Sequence, residues 1–167
     1  MKSAILFLLI FVTAPNRVVV TTYYIVRHAE KLNATADTPL SVTGQKRAVA
    51  LRKYLKSKGV DSIFTSSFLR TQQTAQPLAT LLGKTLRIHN GSTENLIIDL
   101  KRISDKEILV VGHSNTVPDI VKGLSGRTVP AIEENDFDNM YIVRVKTSPG
   151  TVPIRTMTRV TYGALSP

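Results

Sequence analysis

The chain contains no cysteine. Disulfides, thiolate nucleophiles and cysteine-based metal sites are therefore excluded. Aromatic residues are sparse, five Tyr and five Phe in 167 positions, and no run of four or more Lys or Arg occurs. Both shortages count against nucleic-acid binding, which leans on basic clusters and stacking rings. Acidic residues are also few: 12 Asp and Glu against 22 Lys and Arg leave a formal net charge of +10. That charge fits a soluble basic surface as well as attraction to anionic substrates, anionic lipid or nucleic acid. By itself it does not choose. Internal repeats, low-complexity segments and signs of a second domain are missing too. What is present is ordinary, with 43% hydrophobic and 20% charged residues, as in globular proteins. The length suffices for one domain with a real core.

The first residues read as separate from that domain. Met1-Lys2 is a short positive segment, Ala4–Val12 is apolar and uncharged, and Val12-Thr13-Ala14 offers small or modest side chains. This pattern predicts a secretory signal peptide over residues 1–14, too short to span a membrane. Pro15 leaves the cleavage position open. The competing reading is a buried first strand or helix. A leader implies a periplasmic or secreted protein with no membrane span after cleavage. The domain itself is expected over residues 21–160.

Within it, Thr21–Val26 is a β-branched and aromatic run that reads as a strand. Lys31–Pro39 is a small, polar loop. Apolar residues at helical spacing predict an amphipathic helix over Gln45–Lys58, with Ser41 or Thr43 as N-cap and Gly59 as the stop. Val60–Thr65 is a second strand and Thr71–Leu82 a second helix, kinked or shortened at Pro77. A short strand over Thr85–His89 precedes a helix over Glu94–Ile103 capped by Ser92 or Thr93. Ile108–Val111 is wholly apolar and reads as a central strand. A short helix over Asn115–Leu124 follows. Met140–Lys146 and Val152–Thr158 flank Pro149-Gly150, a hairpin signal. Alternating strands and helices closed by an antiparallel pair argue an α/β, three-layer α/β/α sandwich, with a mostly parallel central sheet and a C-terminal antiparallel hairpin.

Three strand ends carry the candidate chemistry. Arg27-His28, Arg70 and His113 each follow a separate strand. If those strands are parallel, their carboxyl ends meet at one edge, where open α/β sheets bind ligands. Two of the chain's three histidines lie at such ends; His89 reads as a partly exposed structural residue. Two guanidiniums and two imidazoles in one pocket suit a phosphate or similar anion. A neutral imidazole there can attack phosphorus.

These residues carry a resemblance. Arg27-His28-Ala29-Glu30 resembles the Arg-His-Gly/Ala signature of the histidine phosphatase superfamily, phosphoglycerate-mutase-like branch. Leu40-Ser41-Val42-Thr43-Gly44 is similar to its Leu-Thr-x-x-Gly element, and Ser66–Ala75 to its Ser-x-x-x-Arg-x-x-Gln-Thr-Ala segment. Val110-Val111-Gly112-His113-Ser114 resembles its second-histidine motif. The resemblance runs from about Thr21 to Leu124 in the family's order. It implies His28 as nucleophile, Arg27, Arg70 and His113 as phosphoryl ligands, His113 also as a charge-stabilising group, and neither metal nor organic cofactor. It implies Glu94 as the acid that protonates the leaving group, with Glu133, Glu134 and Asp136 as alternatives. The histidine-aspartate pair of the acid-phosphatase branch is absent, since Ser114 follows His113. That points to a small, cap-poor member with an open site.

The expected activity is phosphomonoester hydrolysis through a phosphohistidine, on a phosphorylated small molecule or macromolecule and not on nucleic acid as a partner. The alternatives are a non-catalytic anion-binding module of the same fold and a phosphoryl mutase. A zinc hydrolase using His28, His113 and a carboxylate ranks below these, and a basic nucleic-acid binder last.

Overall fold

The computed structural model describes residues 17–166; the expected leader over residues 1–14 lies outside them. The β-branched run becomes β1 (Val19–Arg27), longer at both ends than its pattern suggests. There follow α1 (Val42–Leu55), β2 (Ser62–Thr65), α2 (Leu69–Leu82), β3 (Leu86–Ile88), α3 (Thr93–Lys101), β4 (Glu107–Gly112), α4 (Val117–Ser125), β5 (Asn139–Thr147) and β6 (Ile154–Thr161). The six strands form one sheet in the order β3-β2-β4-β1-β5-β6. β3, β2, β4 and β1 pair in parallel, whereas β5 runs antiparallel to both β1 and β6.

Strand alternation divides the core into two layers. Tyr23 and Ile25 of β1 join Ile108 and Val110 of β4 against α3 and α4. Tyr24 and Val26 join Leu109 and Val111 on the other face, against α1 and α2. β1 and β4 are therefore buried from both sides, which explains their continuous apolar runs. Each fully buried Ile or Leu in these layers contributes roughly 1.5–3 kcal/mol of apolar burial. This is the α/β/α sandwich with a mostly parallel sheet that the sequence predicts.

Several boundaries differ for local reasons. α1 starts at Val42, because Ser41 is the cap and its side chain accepts from Gly44 N. It ends at Leu55, before Gly59, whose φ of 69° serves the following turn instead. Pro77 neither shortens nor ends α2, which runs on to Gly83 in the left-handed region. Gln73, whose carbonyl loses its helical donor there, is exposed and can turn to water.

α1 is also pressed against the turn that follows β1. Ser41 N donates to Glu30 O at 2.9 Å. A Cβ on Gly44 would stand 2.2 Å from that same oxygen and 3.0 Å from Glu30 N. Both obstacles are backbone, so relief requires moving the turn or the helix. Gly44→Ala is therefore expected to destabilise the protein by about 1–3 kcal/mol, read as a lowered urea midpoint. A midpoint unchanged from the parent would show that helix and turn are not tightly apposed.

Candidate active site

The parallel strands deliver their carboxyl ends to one edge of the sheet. Arg27 closes β1 opposite Gly112, the last residue of β4, and His28 N donates to Gly112 O at 2.9 Å. His28 and His113 are thus stitched together through backbone, and their ring centroids lie 5.3 Å apart. Gly112 permits this, since a Cβ there would meet Thr116 Oγ1 at 2.9 Å. Thr116 Oγ1 accepts from His113 N at 2.9 Å and so sets the turn into α4. Arg27, His28, Arg70 and His113 all line a cleft of about 520 Å³, together with Lys31, Ser66, Phe68, His89 and Glu134. A larger groove of about 800 Å³ between α1 and α2 holds no histidine and is lined mainly by apolar and amide side chains.

The hydrogen bonds assign the histidine tautomers. His28 Nδ1 lies 2.8 Å from Ala29 O, which can only accept. Nδ1 therefore carries the proton, and in the neutral ring the lone pair is on Nε2. His113 has the opposite arrangement. Its Nδ1 faces Arg70 Nη2, a donor only, at 3.4 Å, so Nε2–H donates to Ser66 Oγ at 2.9 Å. Ser66 Oγ in turn lies 2.9 Å from Thr71 Oγ1, which donates to backbone carbonyls.

Both rings are held neutral. Burial is the largest cause for His28, whose pKa is pushed down to about 3; the bond to Ala29 opposes it, and positive charge from His113, Arg27 and Arg70 adds to it. His113 is lowered to about 4 by burial, then by Arg70 and Arg27. An unfolded imidazole titrates near 6.5. Below that pH the unfolded chain binds protons that the folded rings refuse, so stability falls as pH falls. For His28 the loss begins near pH 6.5 and is complete below about 3. Urea unfolding is expected to show roughly 2–5 kcal/mol less stability at pH 4.5 than at pH 7 from the two rings together. The drop should shrink in His28→Asn; an equal drop would mean that the ring is not buried as described.

The arginines differ in their duties. Arg27 is 3% exposed. Its Nη1 donates to the carbonyls of Glu133, Glu134 and Asp136 at 2.7, 3.0 and 3.1 Å, and its plane lies 4.2 Å from the Phe137 ring. Its Nε–H is buried without a hydrogen-bond partner among the described residues. Nε and Nη2 thus form one edge able to donate bidentately to an oxyanion. Arg70 is half-buried, donates through Nη1 to Ala36 O at 2.7 Å and stacks 4.2 Å from Phe68. Asp37 Oδ1 accepts from Leu69 N at 2.8 Å and caps α2 from the neighbouring loop.

The loop that Arg27 grips is also held from behind. Ser166 Oγ accepts from Phe137 N and Asp138 N, and Ser166 N donates to Asp138 Oδ2. Residues beyond 160 thus belong to the packing around the cleft. Arg47, 4% exposed, reaches from α1 to Glu30 Oε1 at 2.7 Å and to Ala164 O at 2.8 Å.

Of the candidate residues, Arg27, His28, Arg70 and His113 come together. Glu94 does not line the cleft. It is exposed in the first turn of α3, where its carboxyl is held below the usual range by backbone N–H and by Ser92. Among the alternative acids, Glu134 lines the cleft, while Glu133 and Asp136 meet Arg27 through backbone carbonyls. His89 is half-buried at the cleft rim and donates to Ser92 O at 3.0 Å. Among the described residues no group of three or more His, Asp or Glu is placed to hold a metal ion.

Sequence reasoning passed over Ser66, Thr74 and Lys31. Ser66 follows β2 directly, so the strand-end logic used for His113 would have found it. Thr74 Oγ1 accepts from Ala29 N at 2.9 Å and donates to Arg70 O at 2.6 Å, tying the turn at His28 to α2. Nothing in its local pattern announces that partner.

Residues 23–95 match the family model of the histidine phosphatase superfamily, branch 1. Among curated proteins, a probable phosphoglycerate mutase GpmB of Yersinia enterocolitica is 33% identical over 67 residues, 36% of this chain and 31% of that protein. Fructose-2,6-bisphosphatase TIGAR B of Danio rerio is 39% identical over 66 residues, 40% of this chain and 24% of that protein. The match thus spans less than half the length of these relatives. Among solved structures, mycobacterial hydrolase 2 superposes with a TM-score of 0.70 at 13% identity, covering 89% of this chain and 93% of that one. Protein histidine phosphatase SixA, complexed with tungstate, gives 0.66 at 21% identity, covering 84% and 96%. At such identities the likeness is one of fold. The family match stops short of His113, yet that histidine faces the cleft which the matched segment opens; over residues 23–95 the chain is similar to the histidine phosphatase superfamily, and it shares the fold of these solved structures.

Proposed function

We propose that the protein hydrolyses phosphomonoesters through a phosphohistidine on His28. The observation that carries this reading is the lock of His28 Nδ1 onto Ala29 O, which leaves the Nε2 lone pair facing a cleft with Arg27, Arg70 and His113. A phosphate dianion entering there meets two guanidiniums, and its charge opposes both the burial and the neighbouring positive charge that keep the imidazoles neutral. His113 Nδ1 then gains a proton and becomes a donor to the transferring group. Nε2 of His28 attacks phosphorus, and the bond from phosphorus to the ester oxygen breaks. The leaving oxygen keeps the electron pair and takes up a proton from water in the open cleft, a proton returned to solvent when water attacks in the next step. Water next attacks the phosphohistidine, the N–P bond breaks, and inorganic phosphate departs. The arginines act on charge spread over the equatorial oxygens.

The cleft rim carries exposed Ser67, Asn90 and Asn115 and is open to water. That favours hydrolysis over a mutase cycle, in which the phosphoenzyme must be shielded. The test is a pulse of ³²P-labelled phosphomonoester quenched in alkaline detergent. Alkali-stable, acid-labile label on the peptide that contains His28 is expected. Turnover without such label sinks the covalent route, and binding of phosphate with no turnover favours the non-catalytic module.

A further inference from the structure

The groove between α1 and α2 takes no part in the reaction described above. It holds about 800 Å³, within the range of ligand pockets. Its walls are mainly apolar and amide side chains, Arg52 is its one charged residue, and no carboxylate lines it. The rim is apolar as well: Leu32, Val42 and Leu81 stand there 59%, 67% and 52% exposed. Large apolar side chains gathered and exposed around one groove mark an interaction site.

The charge around the groove is one-sided. Residues 38–60 and 62–93, which supply α1, α2 and their flanking turns, contain no Asp or Glu. Lys46, Lys53, Lys56 and Lys58 are exposed there. Val42, Val49, Lys53 and Lys56 are spaced by seven, four and three residues, so apolar groove wall and cations share one stripe of α1 and its C-cap. Arg47 stands apart, turned inward onto Glu30.

These features select the occupant. A single small molecule lying in the groove would meet one cation, Arg52. The lysines lie outside it, on the solvent side of α1 and in the turn beyond. A broad anionic surface meets the apolar rim and the scattered lysines together, and a fluid one needs no fixed partner for each. No helix among the described residues is long and apolar enough to cross a membrane, so such contact is peripheral.

We infer that the α1–α2 face docks on an anionic lipid bilayer, with Leu32, Val42 and Leu81 entering the interface and Lys46, Lys53 and Lys56 lying on the headgroups. Each lysine near such a surface strengthens binding about fivefold, and the apolar rim adds a part that salt does not screen. Leu32 lines the groove while Lys31 lines the cleft, so docking holds the mouth of the cleft beside the headgroup layer.

The test uses the full chain with vesicles of phosphatidylcholine, alone or mixed with phosphatidylglycerol. Co-sedimentation is expected with the anionic vesicles and not with the neutral ones. Lys53→Gln with Lys56→Gln should weaken partitioning about 25-fold, and Leu32→Ser with Leu81→Ser about tenfold. All four positions are exposed, so the variants keep the fold. The chain has no tryptophan, so Leu81→Trp supplies a single reporter, whose emission should be quenched by lipids brominated on the acyl chain. The apolar run at residues 4–12 is common to all these proteins, so differences among them report the α1–α2 face. Binding that both double variants leave unchanged overturns the inference. So does binding lost with the lysines but unmoved by the leucines and without quenching, which is adsorption by net charge. Equal binding to neutral and anionic vesicles overturns it too, as does binding of monomeric dodecanoate by a protein that ignores vesicles.

Discussion

His28→Ala is expected to lower turnover of p-nitrophenyl phosphate by at least about 10³-fold, because no other group in the cleft replaces the attacking nitrogen. His113 is the nearest substitute, but its Nε2–H is committed to Ser66 and its Nδ1 faces Arg70. The loss should not come from unfolding. The backbone bonds that anchor this residue, His28 N to Gly112 O and Ala29 N to Thr74 Oγ1, survive removal of the ring. A ring 4% exposed leaves a cavity, and a stability cost of about 1–3 kcal/mol is expected from lost packing. Circular dichroism and urea unfolding separate the two effects. Retention of a tenth or more of the parent turnover, in a variant that folds, would remove His28 from the covalent role. Phosphate affinity gives a second check. With Arg27 and Arg70 intact, the variant should still bind inorganic phosphate in the same cleft.

The layered sheet was legible because each strand advertises its burial. Ile108–Val111 is apolar throughout, since β4 has helices on both faces and strands on both sides. Parallel pairing of β1, β4 and β2 then brings Arg27-His28, Arg70 and His113 to one edge. Pro77 misled because a proline rule has no knowledge of which side of the helix faces water. Glu94 carried a different problem. Sequence separation from Arg70 says nothing about direction, and the capping serine at Ser92 turns α3 so that its second residue points outward. The parts hardest to read were those set by contacts between distant segments. Lys31 looks like an ordinary loop residue until Leu40 is seen across from it. Arg47 looks like one more charge on a basic helix until Glu30 and the 162–164 carbonyls close around it. The grip of Arg27 on residues 133–136 spans over a hundred positions of chain, and no local pattern encodes it.

That grip leads to the second large effect. Arg27 both binds the loop and presents Nε and Nη2 to the cleft, so its removal should damage stability and activity together. In Arg27→Ala, the carbonyls of Glu133, Glu134 and Asp136 lose their shared donor. A buried acceptor left unpaired costs about 1–3 kcal/mol, and water can recover part of this at an exposed loop. Loss of one preorganised charge on the transferring group lowers kcat/KM by about 10²–10³. Arg27→Lys separates the two duties. An ammonium keeps a positive charge and can still donate to one or two of the carbonyls, so a good part of the stability should return. It has no planar edge with two parallel N–H bonds, so activity should remain at least about tenfold below the parent. The measurements are the urea midpoint, kcat/KM on p-nitrophenyl phosphate and the inhibition constant of vanadate for parent, Arg27→Ala and Arg27→Lys. If Arg27→Lys recovers activity and stability in parallel, the arginine acts on the substrate only by holding the loop. If stability returns while vanadate still binds weakly, the buried edge of the guanidinium is itself a ligand of the phosphoryl group.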